Sequence, residues 1–349
     1  MKILVVGQGV AGSMLAWQLR QNRHDVVLAD PGGKCASRVA AGVLTPITGK
    51  RFAASWEYPR LYAGAVAAYK ELGQYFGKTF FYPRETIRIF RSAEERALWD
   101  KKKSRLDFLP FIKEDLPARA LPEPWQDPFG SMILIQGGWC DAESLLEDLE
   151  HFFLDHGILR RGTLSHADIT AENSRVTWRN EPFDHVVFCE GYHIRHNPFF
   201  SRVPFEHVKG EILTIETGAS VPEQSILNFG KWIVPYPDGS LRCGSTYDWY
   251  DLTDTPTGAA REHILESLRN QFSINVTVTG QQAGVRPVCK DMKPVLGPHP
   301  RHRRVWVFNG LGAKGILRAP YLAQHLVNVL EKKETLWEEV NCARFWDDA

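Results

Sequence analysis

The run KILVVGQGVAG, residues 2–12, leaves few folds open to this chain. Lys2 to Val6 is short, β-branched and free of polar alternation, the pattern of a strand buried on both faces. Gly7-x-Gly9-x-x-Gly12 follows, and a helix is expected from Val10 to about Arg23, with Ala11, Leu15 and Leu19 on one face. Asp25 to Ala29 reads as a second strand, and Asp30 ends it, 18 residues after Gly12. Strand, glycine turn, helix, strand and terminal acid in this order form a dinucleotide-binding unit. Gly7 permits the tight turn, Gly9 lets a pyrophosphate approach the backbone, and Gly12 lets the helix pack on the strand. The helix N-terminus offers free N–H groups to the phosphates. Asp30 is placed to accept hydrogen bonds from ribose hydroxyls, and its charge disfavours a 2′-phosphate.

The same glycine spacing returns in NGLGAKGILRAP, as Gly310-x-Gly312-x-x-Gly315. VWVFN, residues 305–309, reads as the strand before it. No strand with a terminal acid follows the helix expected to run to about Glu331, so this copy is not a second complete unit. A glycine-rich turn at a helix N-terminus still stabilises negative charge through its N–H groups. A reduced flavin, negative around its pyrimidine ring, meets that description. One long cofactor held by both ends of the chain accounts for both motifs.

Between them the pattern alternates. A small-residue loop spans KCASRVAAGVLTPITGKRF, and a helix is expected from about Ser55 to Phe76. ETIRIF then alternates like a strand, and Ser92-x-x-Glu95 reads as a capping box before a helix carrying Lys101, Lys102 and Lys103. Asp141 caps a further helix that stops at Gly157. FDHVVFCEG is another buried strand ending at Gly191. GEILTIE, KWIVPYP and SLRCGST are strands, with Asp238-Gly239 as a two-residue hairpin signal, and a helix is expected from about Thr257 to Phe272. Parallel-type strands thus lie near 2–6, 26–30, 185–189 and 305–309, and antiparallel-type strands fill 85–135 and 205–285. The expected fold is α/β and α+β: a Rossmann-like FAD-binding domain of residues 1–76, 137–204 and 284–349, interleaved with a mostly antiparallel-sheet substrate domain of 77–136 and 205–283.

A net charge of +1 gives no general attraction to nucleic acid or an anionic membrane. No apolar run is long enough to span a bilayer, and MKILVVGQG does not read as a signal peptide. The six cysteines are scattered with no C-x-x-C pair, which points to reduced thiols in a cytoplasmic protein. His193-x-x-His196 has no third ligand at useful spacing, so no metal is expected.

With these pieces in order, the chain resembles the FAD-dependent oxidoreductases of the D-amino-acid oxidase and glycine oxidase group. The likeness runs through VVGQGVAG with LAD, the loop ASRVAAGVL, HVVFCEG, and GVRPVCKDMKPVLG followed by NGLGAKGIL. It implies FAD contacts from Gly7, Gly9, Val10, Ala11, Gly12, Asp30 and Pro31 at the first motif. It implies further contacts from Ala36, Ser37, Ala41, Gly42, Val43 and Gly191, and from Gly312, Ala313, Lys314, Gly315 and Ile316 at the second. Arg286 of GVRP matches the position that binds the substrate carboxylate above the flavin, a task suited to a planar guanidinium. Tyr236 and Tyr247 are candidates to assist it. Leu311 and Ala313 replace the histidine and arginine of glycine oxidases, and Lys314 stands where asparagine is usual. These departures bear on the substrate more than on the flavin. Covalent attachment in the related sarcosine oxidases uses a cysteine two residues before the arginine; Gly284 stands there, so noncovalent FAD is expected. Lys50 and Arg51 follow the flavin loop and are placed either near the cofactor or in a surface ion pair.

The resemblance implies oxidation of the C–N bond of an amino acid or related amine, with hydride passing to flavin N5 and the imine hydrolysing. Oxygen or another electron acceptor would close the cycle. Two alternatives stand beside it. One is oxidation of a larger secondary amine such as a modified tRNA base, for which Lys101 to Lys103 with Arg105 offer a small basic patch. The other is an NAD-dependent dehydrogenase using the first motif alone.

Overall fold

The computed structural model describes residues 1–172 and 175–346. Strand β1, Lys2–Val6, is buried from Ile3 onward and lies inside a six-stranded sheet. Helix α1, Val10–Gln21, follows it, and β2, Asp25–Asp30, pairs parallel with β1. On the other side of β1 come His185–Phe188 and then Val305–Asn309, both parallel. All four strands anticipated from their unalternated apolar runs are present. Two further edge strands were not anticipated: Leu159–Arg161, parallel to β2, and Val295–Pro298, antiparallel to Val305–Asn309.

One face of this sheet packs on α1 and on the helices Tyr58–Phe76, Ala142–Asp155 and Gly315–Leu330. The other face packs on Phe200, Val203 and a three-stranded meander of Ile169–Ala171, Val176–Trp178 and Glu181–Phe183. Asp141 caps its helix as expected, its Oδ1 accepting from the Ser144 N–H at 3.3 Å. The helix expected from Ser55 begins at Tyr58, and α1 ends two residues earlier than expected.

A second sheet has eight strands. Its order is Thr277–Cys289, Phe205–Glu216, Leu241–Gly244, Trp232–Pro235, Ile226–Asn228, Thr86–Ile89, Ser131–Leu134, Ile112–Leu116. Every neighbouring pair is antiparallel except Ile226–Asn228 with Thr86–Ile89. The two sheets therefore draw on interleaved segments of the chain.

Two local expectations are corrected. The hairpin at Asp238-Gly239 has a three-residue loop: the Gly239 N–H donates to the Tyr236 carbonyl and the Tyr236 N–H to the Ser240 carbonyl. Pro237 favours this, because it has no N–H to give to the Ser240 carbonyl, the bond that a two-residue Asp-Gly turn would make there. The capping box is half formed. Ser92 Oγ accepts from the Glu95 N–H, but the Glu95 carboxylate turns to the Arg91 N–H and to the guanidinium of Arg88. A buried arginine outcompetes a solvent-reachable N–H for that carboxylate. Among the described residues no helix is long and apolar enough to cross a membrane.

Candidate cofactor and substrate site

The site forms where the two glycine motifs meet. A Cβ on Gly12 would sit 1.8 Å from the Gly7 carbonyl oxygen, so only glycine lets α1 approach β1 this closely. A Cβ on Gly315 would lie 3.2 Å from Cγ1 of Val10. The N-terminal turns of α1 and of Gly315–Leu330 are therefore neighbours. Neither has an acidic residue in its first turn or a side-chain cap at its N-cap residue. Two positive helix ends side by side, neither blocked by an acid, suit one elongated anionic cofactor.

Asp30 stands at the end of β2, its Oδ2 accepting from the Gln8 N–H at 2.7 Å and its Oδ1 from the Gly32 N–H at 2.6 Å. Ser37 Oγ accepts from the Val10 N–H at 3.1 Å, which brings the loop after β2 to the start of α1. Asn309 donates to the Gly191 carbonyl and ties the ends of two parallel strands beside the second motif. Gly42, at φ +68°, lies flat on the strand Gly138–Cys140, 1.9 Å separating a hypothetical Cβ from the Cys140 oxygen. Ala41 and Val43 then pack with Trp139, Ile226, Val234 and Tyr236. The small-residue loop thus joins the first sheet to the second.

Arg286 is positioned by two missing side chains. A Cβ on Gly284 would meet the Ala36 backbone at 2.9 Å, so strand Thr277–Cys289 touches the loop after β2 there. Two residues on, Arg286 points to the same face of the strand. Its guanidinium lies across Gly210 of the neighbouring strand, where a Cβ would be 1.9 Å from Nη2. It donates to Ser245 Oγ at 2.8 Å and to the Thr246 carbonyl at 3.3 Å, and the Tyr247 ring covers it at 4.8 Å. Burial pulls its pKa below the usual arginine range. Among the described residues no carboxylate lies within 4 Å of it. A desolvated fork of donors with no counter-ion is prepared for an external carboxylate.

Two more cations share this condition. Lys314 Nζ donates to Ser55 Oγ at 2.8 Å and Thr48 Oγ1 at 3.2 Å, and burial followed by the charge of Arg318 lowers its pKa to about 8. Arg318 donates to the Leu311 and Met292 carbonyls, its Nε is buried without a hydrogen-bond partner, and burial lowers its pKa to about 10. Neither has a carboxylate within 4 Å among the described residues. Positive charge beside the second motif is what an electron-rich ring requires, so these residues fit a flavin.

The family comparison agrees. Residues 2–329 match the family described as FAD dependent oxidoreductase. The chain belongs to this family. FAD is therefore its cofactor, and the NAD-dependent alternative falls. The glycine oxidase of Pseudomonas putida is 25% identical over 96% of this chain and 96% of its own. The tRNA 5-methylaminomethyl-2-thiouridine biosynthesis bifunctional protein MnmC of Marinobacter nauticus is 24% identical over 93% of this chain, which spans only 55% of that protein. The crystal structure of iminodiacetate oxidase from Chelativorans sp. BNC1 superposes with a TM-score of 0.80 at 19% identity, covering 97% of this chain and 98% of that one. It shares the fold.

Other candidates are placed as follows. Tyr247 is brought to Arg286, whereas Tyr236 stacks on Trp139 at 4.2 Å and lies under Arg242. Lys50 and Arg51 are exposed at a hairpin tip. Lys103 pairs with Asp100 and Asp115, Arg105 pairs with Asp107, and Lys102 donates to the Arg51 carbonyl, so most of the expected basic patch is neutralised or engaged. His196 Nε2 accepts from Arg195, and among the described residues no group of three metal-ligating side chains exists. The six cysteines are free. A cavity of about 650 Å³ lies beside Tyr58, Phe111 and Gln136. None of the site residues expected from the sequence lines it, and it shares only Ser55 with the Lys314 contacts. Two cations escaped the sequence reading. Arg318 had one signal, a lone charge in the apolar helical run GILRAPYLA. Lys231, which donates to the Ser245 carbonyl at 3.0 Å, had none.

Proposed function

We propose that this enzyme oxidises the C–N bond of an amino acid or related amine. The observation that carries the reading is Arg286, desolvated, without a counter-ion and laid beside the small-residue loop. Its guanidinium takes the substrate carboxylate bidentately and thereby fixes Cα and its hydrogen. When bound, noncovalent FAD supplies the ring that accepts the hydride. The helix ends at Val10 and Gly315 would hold its phosphates and its electron-rich ring, and Asp30 its ribose. Lys314 and Arg318 would supply positive charge to that ring. Trp139, Ile226 and Tyr236 pack with Ala41 and Val43 and back the small-residue loop from behind. The amine reacts in its neutral form, and the imine released is hydrolysed by water to a keto acid and ammonia. Segments 1–76, 137–204 and 284–349 serve the cofactor, and 77–136 with 205–283 serve the substrate.

The test is the visible spectrum of the purified holoenzyme, followed anaerobically with pools of amino acids and N-methyl amines. Bleaching by a carboxylate-bearing pool that is lost in Arg286→Met supports the reading. Bleaching only by amines without a carboxylate sinks it. A second reading, a secondary amine on a larger molecule such as a modified tRNA base, draws support from the likeness to the Marinobacter protein. The pairing of Lys103 and Arg105 with acids weighs against it, and salt-dependent RNA binding would test it.

A further inference from the structure

The loop from Ser245 to Thr257 reverses the usual distribution of polar and apolar groups. Its inner side is charged. Lys209, 1% exposed, sends Nζ to Asp251 Oδ2 and to the Thr255 carbonyl, both at 2.5 Å. The backbones of Lys209 and Asp248 exchange two hydrogen bonds, and Asp248 Oδ1 accepts from the Tyr250 and Asp251 N–H groups. Glu211 receives the N–H and hydroxyl of Thr257 at the far end. The loop is held at both ends and in the middle.

Its outer side is aromatic. Tyr247 is 62% exposed, Trp249 48% and Tyr250 97%. Single exposed apolar residues need no explanation, but three rings within four positions on a pinned loop do. The first of them lies over the guanidinium of Arg286, and the other two follow it within three positions of the chain. The stretch TYDWYDLTDTP contains three aspartates and no lysine or arginine, which disfavours a polyanion there. Three side chains also fall short of the roughly 1,200 Å² that a stable protein interface buries.

We infer that Tyr247, Trp249 and Tyr250 form a stacking platform for a planar aromatic ring at the far end of the substrate, whose carboxylate sits on Arg286. The inference rests on the proposed carboxylate role of Arg286. The substrate class it names is an amino acid or secondary amine bearing an uncharged or cationic aromatic group, larger than glycine.

The experiment uses carboxylates that lack an amine and so cannot be oxidised. Acetate and 3-phenylpropanoate are titrated into holoenzyme, and binding is read from the flavin absorbance. The phenyl compound should bind more tightly. The ratio of the two affinities should fall by roughly threefold to tenfold for each ring removed in Trp249→Ala and Tyr250→Ala, the scale of one aromatic contact. Trp249→Phe should restore most of it. A ratio untouched by both alanine variants, while Arg286→Met weakens both ligands, overturns the platform and leaves the carboxylate site standing. Two ligands that bind equally well to Arg286→Met overturn the carboxylate site itself. A wild-type dimer in sedimentation that dissociates in Trp249→Ala would also overturn the platform, by assigning the rings to a second copy of the chain.

Discussion

Two sets of desolvated cations divide this molecule. Where the helix Ala93–Lys102 meets the eight-stranded sheet, Arg88 and Glu95 are 6% and 7% exposed and meet at 2.6 Å, and Arg91 adds a second contact to the same carboxylate. Burial raises the pKa of Glu95, yet Arg88 and Arg91 bring it below the ordinary value. Lys209 is likewise matched by Asp251 and Glu211. Around the second glycine motif and the loop after β2, Arg286, Lys314 and Arg318 have hydroxyls, carbonyls and aromatic faces instead of acids. The acid nearest in effect to Arg318, Asp291, pairs with Arg344. A protein leaves a buried cation without a counter-ion only where something else supplies the negative charge. We propose that the first set belongs to the fold and the second to what the fold binds.

If that division is right, breaking each set has a different consequence. The largest effect should come from Glu95→Gln, which leaves Arg88 buried and unpaired. The loss should be about 3–5 kcal/mol in urea unfolding, with flavin content per folded molecule unchanged. Arg286→Met should do the converse. It should lower kcat/KM for a carboxylate-bearing substrate by about a hundredfold to a thousandfold while leaving the unfolding midpoint equal or higher. A fall in stability comparable to that of Glu95→Gln would place Arg286 among the structural cations.

Gly210→Ala sharpens the contrast without removing any charge. The added methyl would meet Nη2 of Arg286, the free end of a flexible side chain, so the guanidinium moves and the strand does not. Substrate affinity should fall roughly thirtyfold, about 2 kcal/mol, with the fold intact. Gly284→Ala strikes the Ala36 backbone instead, and should loosen flavin retention rather than substrate binding. Equal effects of the two variants on both readouts would undo the assignment of Arg286 to the substrate.

The parallel strands could be read from the sequence because strands such as Lys2–Val6 and Val305–Asn309 are buried on both faces and carry no alternation. The meander Ile169–Phe183 could not, because its strands are three residues long and interrupted by polar positions. Val295–Pro298 escaped because Pro294, Gly297 and Pro298 punctuate its two apolar residues in the manner of a turn. In the site, the glycines announce themselves through spacing, since close backbone approach admits no other residue. The cations do not. Lys314 was reached only through the family resemblance, and Arg318 and Lys231 escaped, because what distinguishes them is the absence of an acidic partner, which leaves no pattern in a linear sequence. The pairing that neutralises Lys103 and Arg105 was partly open to reading, because Asp100 and Asp107 lie within three residues of them, whereas Asp115 is brought to Lys103 by the chain turning back after the helix.

Lys314 gives the smallest expected effect and the most direct view of the division. Burial and Arg318 lower its pKa from 10.5 to about 8. Between these values the unfolded chain holds a proton that the folded chain has released. Stability should therefore rise with pH across that window, by about 1 kcal/mol once partial solvent exposure of the side chain is discounted. Below pH 8 both states are protonated and the full penalty remains; above 10.5 both are neutral and it is gone. Thermal unfolding of flavin-free protein between pH 7 and about 10 would read the slope, which Lys314→Met should abolish. Bound FAD should flatten it too, because a nearby electron-rich ring restores the proton affinity that burial removed. A slope that persists unchanged in the holoenzyme would mean that Lys314 never meets the cofactor, and would move it out of the unpaired set that defines the site.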